Sequence, residues 1–390
     1  MLTQTASALA SRAAEALLGR NRHCEEFFSK QAGPLALACQ EMAERFLKGG
    51  RLLAFGRGAY ATDAQHVSVE FVHPVIVGKR ALPALDLSIA FRPWMEAILH
   101  SSDMVMGFGP PEGDAEVQAA LDAAEARGAM TFALPGERGA YSCETGVHDA
   151  FVHQEMIEIL YHVLWETVHV FFEHRELGHD VGDAGFLYPF LGQEKQKTQG
   201  ILEEVAASIR MKADDDAKLR EQVAAGQDGQ MANTALAMGE RLRRGGKLIL
   251  FGNGGSATDA NDWALDCVAP PAGYRAIPAV SLALEPANIT ALANDVGTEV
   301  IFSRQLIAQA QAEDVAIGIS TSGGSKNIAM ALEEARRRGL LTVALLGYDG
   351  GEIVRRGLAD FPVVVHSDYI PRIQEVQASV YHVIQGLLSQ

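Results

Sequence analysis

Two glycine-rich turns in the second half of the chain carry the residues best suited to binding a small anion. The first reads Gly252-Asn253-Gly254-Gly255-Ser256, and the second reads Ser320-Thr321-Ser322-Gly323-Gly324-Ser325. Each follows a short apolar run that predicts a buried strand, and each precedes a predicted helix. Glycines let the backbone approach a ligand closely, while a helix start directs amides and positive dipole toward it. The pattern predicts a phosphate monoester held by amides and hydroxyls.

Each turn also has a purely structural interpretation, because Ser and Thr are standard helix N-caps. The presence of two such turns in one half favours the anion site over simple capping. The turns lack the lysine of a Walker loop and the GxGxxG spacing of a dinucleotide site. The sequence therefore predicts no nucleotide cofactor.

The 390 residues contain an internal repeat. The run RLLAFGRGAYATDA, from Arg51, corresponds to KLILFGNGGSATDA, from Lys247, and four blocks in all recur in the same order. Because self-similarity of this kind indicates repeated structural units, we interpret the chain as a tandem duplication. The predicted domains are 1–178 and 193–390, with a glycine-rich linker at 179–192.

The elements that must position these turns follow one pattern in both halves. Helical patterns open each half, and a Gly-Gly pair ends the second helix of a predicted hairpin. Apolar runs then predict strands: RLLAFG, DMVMGF and MTFAL, and in the second half KLILFG, DVAIGIS and LTVALL. Strands alternating with helices predict an α/β fold, in which each domain is a three-layer sandwich with a parallel sheet. Ligands of such sheets bind at the carboxyl ends of the strands.

The motifs FGNGGSATDA, ISTSGGS and LLGYDGG, with RIQEV and a following His, resemble the sugar isomerase (SIS) family, specifically the phosphoheptose isomerases. The resemblance covers nearly all of 193–390 and extends more weakly over the first half. It implies a phosphosugar aldose–ketose isomerase, which interconverts sedoheptulose 7-phosphate and an aldoheptose 7-phosphate through an enediol(ate). It also implies a homo-oligomer, expected here to be a dimer of the fused chain.

The resemblance also implies a set of site residues. The family's metal and acid–base set is a His and a Glu four residues apart on the helix after the first turn, with a Gln and a His eight residues apart on the last helix. Both spacings put two side chains on one helix face. The implied metal is a divalent ion, expected to be zinc. The residues expected to contact the substrate and its phosphate are Asn253, Gly254, Ser256, Asn294, Asp295, Ser320, Thr321, Ser322 and Ser325.

The first half matches the metal set in full, with His66, Glu70, Gln154 and His162. Its second turn, however, reads Gly109-Pro110-Pro111-Glu112-Gly113-Asp114. The prolines remove amide donors, and the carboxylates repel a phosphate at close range. The first half therefore keeps the metal set and loses the phosphate loop.

The second half shows the reverse pattern. It keeps the phosphate turns, together with Gln374 and His382, but Asp262 and Asp266 replace the His and the Glu. Two carboxylates with a His and a Gln are expected to bind a metal less selectively for zinc than the first-half set. The candidate catalytic residues in the two halves are Glu70 or Asp266 as the base, with His162 or His382 as the acid–base partner.

These complementary losses suggest one site shared between the two halves, built from the metal set of one and the phosphate loops of the other. A phosphosugar site in the second half alone, with a metal-bearing or structural first half, is the other division of labour. From a different functional class, the rival hypothesis is a non-catalytic sugar-phosphate-binding regulatory or scaffold protein.

Composition excludes several classes of protein. A net charge of −16, from 33 basic and 49 acidic residues, argues against a nucleic-acid or anionic-membrane binder. No apolar run approaches the ~20 residues of a membrane span, and the N-terminus predicts no secretory signal. The 4 cysteines show no CxxC spacing, so a cytoplasmic protein is expected. We interpret the acidic run 214–216 as a solvated loop.

Overall fold

The computed structural model describes residues 2–75, 79–176 and 198–389. The predicted linker at 179–192 lies outside these ranges. The helices are α1 Leu2–Leu47, α2 Ala61–Val72, α3 Phe91–Ile98, α4 Ala115–Glu125, α5 Ala150–Glu176, α6 Thr198–Arg243, α7 Gly255–Val268, α8 Pro286–Asp295, α9 Ile301–Gln309, α10 Lys326–Arg337, α11 Gly351–Arg355 and α12 Ile370–Leu388. The strands are β1 Leu52–Gly56, β2 Ala84–Asp86, β3 Met104–Phe108, β4 Met130–Leu134, β5 Tyr141–Ser142, β6 Leu248–Phe251, β7 Ala279–Ser281, β8 Val315–Ser320, β9 Leu341–Gly347 and β10 Phe361–Val365.

The chain divides into two compact units. The first unit is Arg22–Asp215, and the second unit combines Met1–Asn21 with Asp216–Gln390. These bounds differ from the domains predicted from the repeat, because α1 and α6 each contribute residues to both units. The predicted domains, 1–178 and 193–390, stay a prediction about the repeat in the sequence.

The predicted helix hairpins are wrong, because α1 and α6 are each one continuous helix of 46 residues. Between their ends the sequence has no run of turn residues strong enough to reverse the chain, and α1 even accommodates Pro34. The predicted stops are confirmed: Gly49 and Gly245 follow with φ of 85° and 90°, as helix-terminating glycines do. No helix within the described ranges has both the length and the apolar character needed to cross a bilayer.

Each unit contains one five-stranded parallel sheet. The strand order is β2-β1-β3-β4-β5 in the first unit and β7-β6-β8-β9-β10 in the second. In both, the central pair places the glycine-turn strand beside the strand that precedes the second turn, with Leu53 opposite Val105 and Leu250 opposite Ile317. The parallel α/β sheet predicted from the apolar runs is confirmed.

Alternation along each strand separates two layers of core. Leu52 and Leu53 are neighbours in β1 but belong to different apolar clusters, the first packed with α2 and α5 and the second with α3 and α4. The second unit repeats this arrangement with Leu248 and Ile249. Because the sheet has an apolar core on each face, the predicted three-layer sandwich is confirmed in both units.

One glycine at the end of β1 and one after β6 fix where the next helix begins. A Cβ on Gly56 would lie 2.0 Å from the carbonyl oxygen of Tyr60, and a Cβ on Gly252 would lie 2.1 Å from that of Ser256. No side chain fits at such distances, so glycine lets the chain turn tightly from strand to helix. This turn sets the register of α2 and α7, which carry the candidate metal residues.

Candidate phosphate and metal sites

The two predicted phosphate turns of the second unit lie side by side at the carboxyl edge of the sheet, because β6 and β8 are neighbouring strands. The side-chain amides of Asn253 and Asn327 exchange two hydrogen bonds of 2.9 Å each, which join the two turns. Gly254 has a φ of 58°, a conformation that favours glycine. The structure therefore brings both turns into one polar edge.

Hydroxyl groups organise the second turn. The Gly323 amide donates to Ser320 Oγ at 3.2 Å, and the Ser320 and Ser325 hydroxyl oxygens lie 3.3 Å apart. The Gly324 amide donates to Ser322 Oγ at 3.2 Å. Ser320 is buried whereas Ser322 is exposed, so the turn presents both a fixed and an accessible hydroxyl.

The start of α10 is only partly satisfied by its own side chains, because the Ile328 amide donates to Asn327 Oδ1 at 2.9 Å. Ser325 occupies the N-cap position, but within the described residues its side chain makes no capping hydrogen bond. The first amides of a helix have no intrahelical partner, and they attract anions. A phosphate oxygen can take the place that a capping side chain would normally fill.

The remaining predicted substrate residues differ in position. Ser256 is buried near the start of α7, and Thr321 is half-buried in the second turn. Asn294 and Asp295 are exposed at the end of α8, where the Asn294 amide donates to the Asp295 carboxylate at 2.7 Å. Within the described residues, this pair makes no hydrogen bond to either turn.

In the first unit, the amides at the corresponding helix start are already hydrogen-bonded to a side chain of the same turn. The Asp114 carboxylate caps α4 by accepting from the amides of Glu116 and Val117 at 2.8 and 3.1 Å. The Arg57 guanidinium pairs with the same carboxylate at 2.9 Å. The amides that a phosphate needs are therefore already bonded to an anion.

The first-unit metal candidates meet where α2 packs on α5. The Nε2 atoms of His66 and His162 lie 3.3 Å apart, and both side chains are buried. Glu70 Oε1 lies 3.9 Å from His66 Nε2. The Gln154 amide nitrogen donates to the carboxylate of Asp63, on the same helix as His66, at 3.1 Å. The structure thus brings His66, Glu70 and His162 together and joins Gln154 to α2.

Glu158 joins this cluster, although the sequence prediction did not include it. One ligand atom of Glu158 and the ring nitrogens of His66 and His162 all lie within 4.8 Å of one another. Glu158 is one helical turn before His162 on α5, so the four-residue spacing was a signal that pointed to it. Two imidazoles and a carboxylate are a ligand set that suits zinc.

A buried ion pair next to the cluster affects the protonation of Glu70. Lys212 of α6 forms a buried ion pair with Glu166 of α5. Burial and the nearby Glu166 carboxylate raise the pKa of Glu70 to about 8. A carboxyl group with such a pKa holds its proton at neutral pH.

The second-unit candidates meet at the matching junction of α7 with α12. His382 Nε2 lies 3.1 Å from Asp266 Oδ2 and 3.7 Å from Asp262 Oδ2, and these three side chains are buried. The Tyr381 hydroxyl donates to Asp262 at 2.8 Å. Gln374 is also buried on α12. The structure therefore brings Asp262, Asp266 and His382 within metal-binding distance of one another.

The chemistry of this second cluster differs from that of the first. Burial and the Asp262 carboxylate raise the pKa of Asp266 to about 7, although the His382 contact opposes the shift. A carboxyl group with that pKa can accept and release a proton near neutral pH. Two carboxylates and one imidazole fit a divalent ion less selectively for zinc than the first-unit set.

Comparison with known proteins identifies the family. Residues 213–347 match the family model described as the SIS domain. The phosphoheptose isomerase of Pelobacter propionicus is 45% identical over 161 residues, which cover 41% of this chain and 84% of that relative. The phosphoheptose isomerase of Geobacter sp. strain M21 is 45% identical over 152 residues, 39% of this chain and 78% of the relative. The chain belongs to the SIS family of phosphoheptose isomerases. The resemblance predicted from the motifs is confirmed.

One solved structure has a similar fold over nearly the whole length of this SIS-family chain. The C-terminal domain of glucosamine-fructose-6-phosphate aminotransferase from Francisella tularensis superposes with a TM-score of 0.61. The alignment covers 96% of this SIS-family chain and 95% of that one, at 9% sequence identity. At this identity the likeness concerns the fold alone.

Proposed function

We propose that this SIS-family chain is a sugar-phosphate isomerase of the phosphoheptose type, and that its second unit binds the substrate phosphate. The observation that carries this proposal is the pair of neighbouring strand–helix turns joined by Asn253 and Asn327. The names of the curated relatives, which are phosphoheptose isomerases, support the same reaction class.

The proposed phosphate site uses amides and hydroxyls in place of basic side chains. Ser320, Ser322 and Ser325 supply hydroxyls, and the start of α10 supplies amides and positive dipole. The missing capping bond from Ser325 supports this assignment, although the Ile328 amide of the same helix turn already donates to Asn327 Oδ1. Such a site explains how a chain with a net charge of −16 can take an anionic substrate.

For the chemical step we propose proton transfer by the second-unit pair. Asp266 removes the proton from the carbon next to the carbonyl and returns it to the neighbouring carbon, with an enediol(ate) between the two steps. His382 carries a proton between the two substrate oxygens. Their 3.1 Å contact supports a coupled acid–base pair. A divalent ion held by the Asp262 carboxylate would polarise the carbonyl oxygen when bound.

The sharing of one site by the two halves stays a prediction, as do the dimer of fused chains and the role of Asn294 and Asp295. A non-catalytic sugar-phosphate-binding role is the second candidate function. The replacement of the family's His and Glu by Asp262 and Asp266 favours it, because proton transfer depends closely on the reach of the carboxylate.

Turnover and binding of sedoheptulose 7-phosphate, each measured with and without added divalent metal, test the proposal. We expect turnover, and we expect Ser322→Ala to raise KM more than it lowers kcat. The matched control is Ser101→Ala, which changes an exposed serine of the first unit. Binding without turnover would favour the non-catalytic role, and absence of both would contradict the two candidates together.

A further inference from the structure

Tyr381 stands next to His382 on α12, and the proposed proton transfer does not use it. Its side chain is buried, and its hydroxyl donates to Asp262 Oδ2 at 2.8 Å. Its ring stacks on that of Trp263, with the ring centroids 5.3 Å apart and the planes 17° from parallel. Stacked aromatic rings restrict each other's orientation. The stacking therefore fixes where the Tyr381 hydroxyl points, and the hydroxyl holds one oxygen of Asp262.

The oxygen that Tyr381 holds is one of two carboxylate oxygens that face the same imidazole nitrogen. His382 Nε2 lies 3.1 Å from Asp266 Oδ2 but 3.7 Å from Asp262 Oδ2. The first distance is that of a hydrogen bond, whereas the second is too long for one. Because both carboxylates are acceptors, they compete for the imidazole, and the observed geometry favours Asp266.

The first unit has a tyrosine at the matching position of α5, Tyr161, in a different setting. At the position of the aspartate the first unit has His66, and the Tyr161 ring centroid lies 5.3 Å from that of the imidazole, with the planes at 56°. At the position of Trp263 it has Val67, which offers no ring for stacking. The carboxylate and the indole that hold Tyr381 are thus features of the second unit.

We propose that Tyr381 is a positioning residue: by holding Asp262, it keeps His382 bonded to the proposed base. This inference rests on the proposed function, in which Asp266 and His382 transfer the protons. Without the hydroxyl, Asp262 Oδ2 loses its donor and can turn to the imidazole 3.7 Å away. A hydrogen bond there draws His382 away from Asp266, and a displacement of about 1 Å can cost about 100-fold in rate.

Tyr381→Phe tests this role, because it removes the hydroxyl and keeps the ring. With sedoheptulose 7-phosphate and an excess of divalent metal, we expect kcat to fall by about 10- to 100-fold. KM should change by less than about twofold, because the phosphate turns keep all their residues. The matched control is Tyr141→Phe, which removes a buried hydroxyl of the first unit that donates to Gln31 at 3.0 Å. That variant should keep the wild-type kcat.

A second measurement separates positioning from a general effect on the fold. In an Asp262→Asn background there is no charged carboxylate to hold, so Tyr381→Phe should lower kcat by less than about twofold relative to that background. A tyrosine that only supported the packing of α12 on α7 would lower kcat equally in both backgrounds. Melting temperatures show that each variant is folded.

The outcomes distinguish this inference from the proposed function. If the wild-type chain has no turnover, the proposed function fails, and the positioning role fails with it. If the wild-type chain is active, an unchanged kcat in Tyr381→Phe overturns the positioning role alone. An equal loss of kcat in both backgrounds, or a loss as large in Tyr141→Phe, has the same consequence.

Discussion

The two units present the same strand–helix turn in opposite states. At the start of α4, the Asp114 carboxylate accepts the helix amides and pairs with Arg57. At the start of α10, the side chain of Ser325 makes no capping bond in the described part of the chain and instead lies 3.3 Å from the Ser320 hydroxyl. The capping residue, together with the prolines of the first-unit turn, thus distinguishes a turn that holds its own anion from one whose N-cap side chain leaves room for a ligand.

The helix junctions differ in the opposite sense. The α2–α5 junction gathers two imidazoles and a carboxylate, whereas the α7–α12 junction gathers two carboxylates and an imidazole. The unit with the blocked phosphate turn therefore has the more zinc-like ligands. The unit with the open phosphate turn has the more acidic cluster. One fold carries two different specialisations, and neither required a change in strand order.

The sharpest test compares His382→Ala with His162→Ala. His382→Ala should lower kcat by about 10²–10⁴-fold, the usual contribution of general acid–base catalysis. His162→Ala should lower kcat far less, because it removes a group from the first-unit cluster. Steady-state turnover of sedoheptulose 7-phosphate measures both, and melting temperatures show whether each variant folds. Equal losses of kcat would contradict a catalytic role confined to the second unit and would support one site shared by the two halves.

The next largest effect should come from giving the second unit the capping residue of the first. Ser325→Asp places a carboxylate at the start of α10, so KM should rise on the order of 100-fold through repulsion of the phosphate and loss of its amides. The fold should persist, because Asp caps helices as well as Ser does. Asp114→Ser, the reciprocal change in the first unit, should leave KM unchanged. If the two variants have equal KM values, the phosphate does not bind at α10.

The fold was largely predictable because the central strands are continuous apolar runs. The edge strands β2, β5, β7 and β10 were not predicted; β2 and β7 have only 3 residues and β5 only 2, which gives little signal, whereas the 5-residue β10 was overlooked. The predicted hairpins failed for a different reason. Local patterns showed where α1 and α6 end, but nothing in them showed that each helix runs unbroken from its first turn.

A partner far away in the sequence explains why the environment of Asp216 was predicted wrongly. Asp216 belongs to an acidic run that was predicted to be a solvated loop, which is wrong: it is buried in α6 and pairs with Arg372 at 3.1 Å. That partner is 156 residues away in the chain, so no local pattern reveals it. Glu158 was different, because its four-residue spacing from His162 was visible in the sequence.

Each unit has a buried aspartate that pairs with a basic residue just before a central strand, and the two pairs can be compared by their effect on stability. Asp103, before β3, accepts from the Arg51 guanidinium at 2.7 and 3.2 Å, and Asp314, before β8, accepts from the Lys247 ammonium at 2.6 Å. Both aspartates are buried. Asp103→Asn and Asp314→Asn should each lower the free energy of unfolding by about 2–4 kcal/mol. The loss should be larger at Asp103, whose partner forms two bonds. Urea denaturation measures both, and equal losses would show that the two-pronged contact adds nothing.

The smallest expected effect is the dependence of stability on acid pH. Burial raises the pKa of Asp103, but the hydrogen bonds from Arg51 and from the His100 amide lower it more, so its pKa lies below the usual range. A carboxyl with a lowered folded-state pKa stabilises the fold fully above about pH 4, the ordinary value for Asp. That contribution is lost as the pH falls through the folded-state pKa. Asp103→Asn has no such carboxyl, so its free energy of unfolding should fall less steeply with acid than that of the wild-type chain. Urea titrations in steps below about pH 5 compare the slopes, and parallel slopes would mean that the Arg51 pair does not depend on the charge of Asp103.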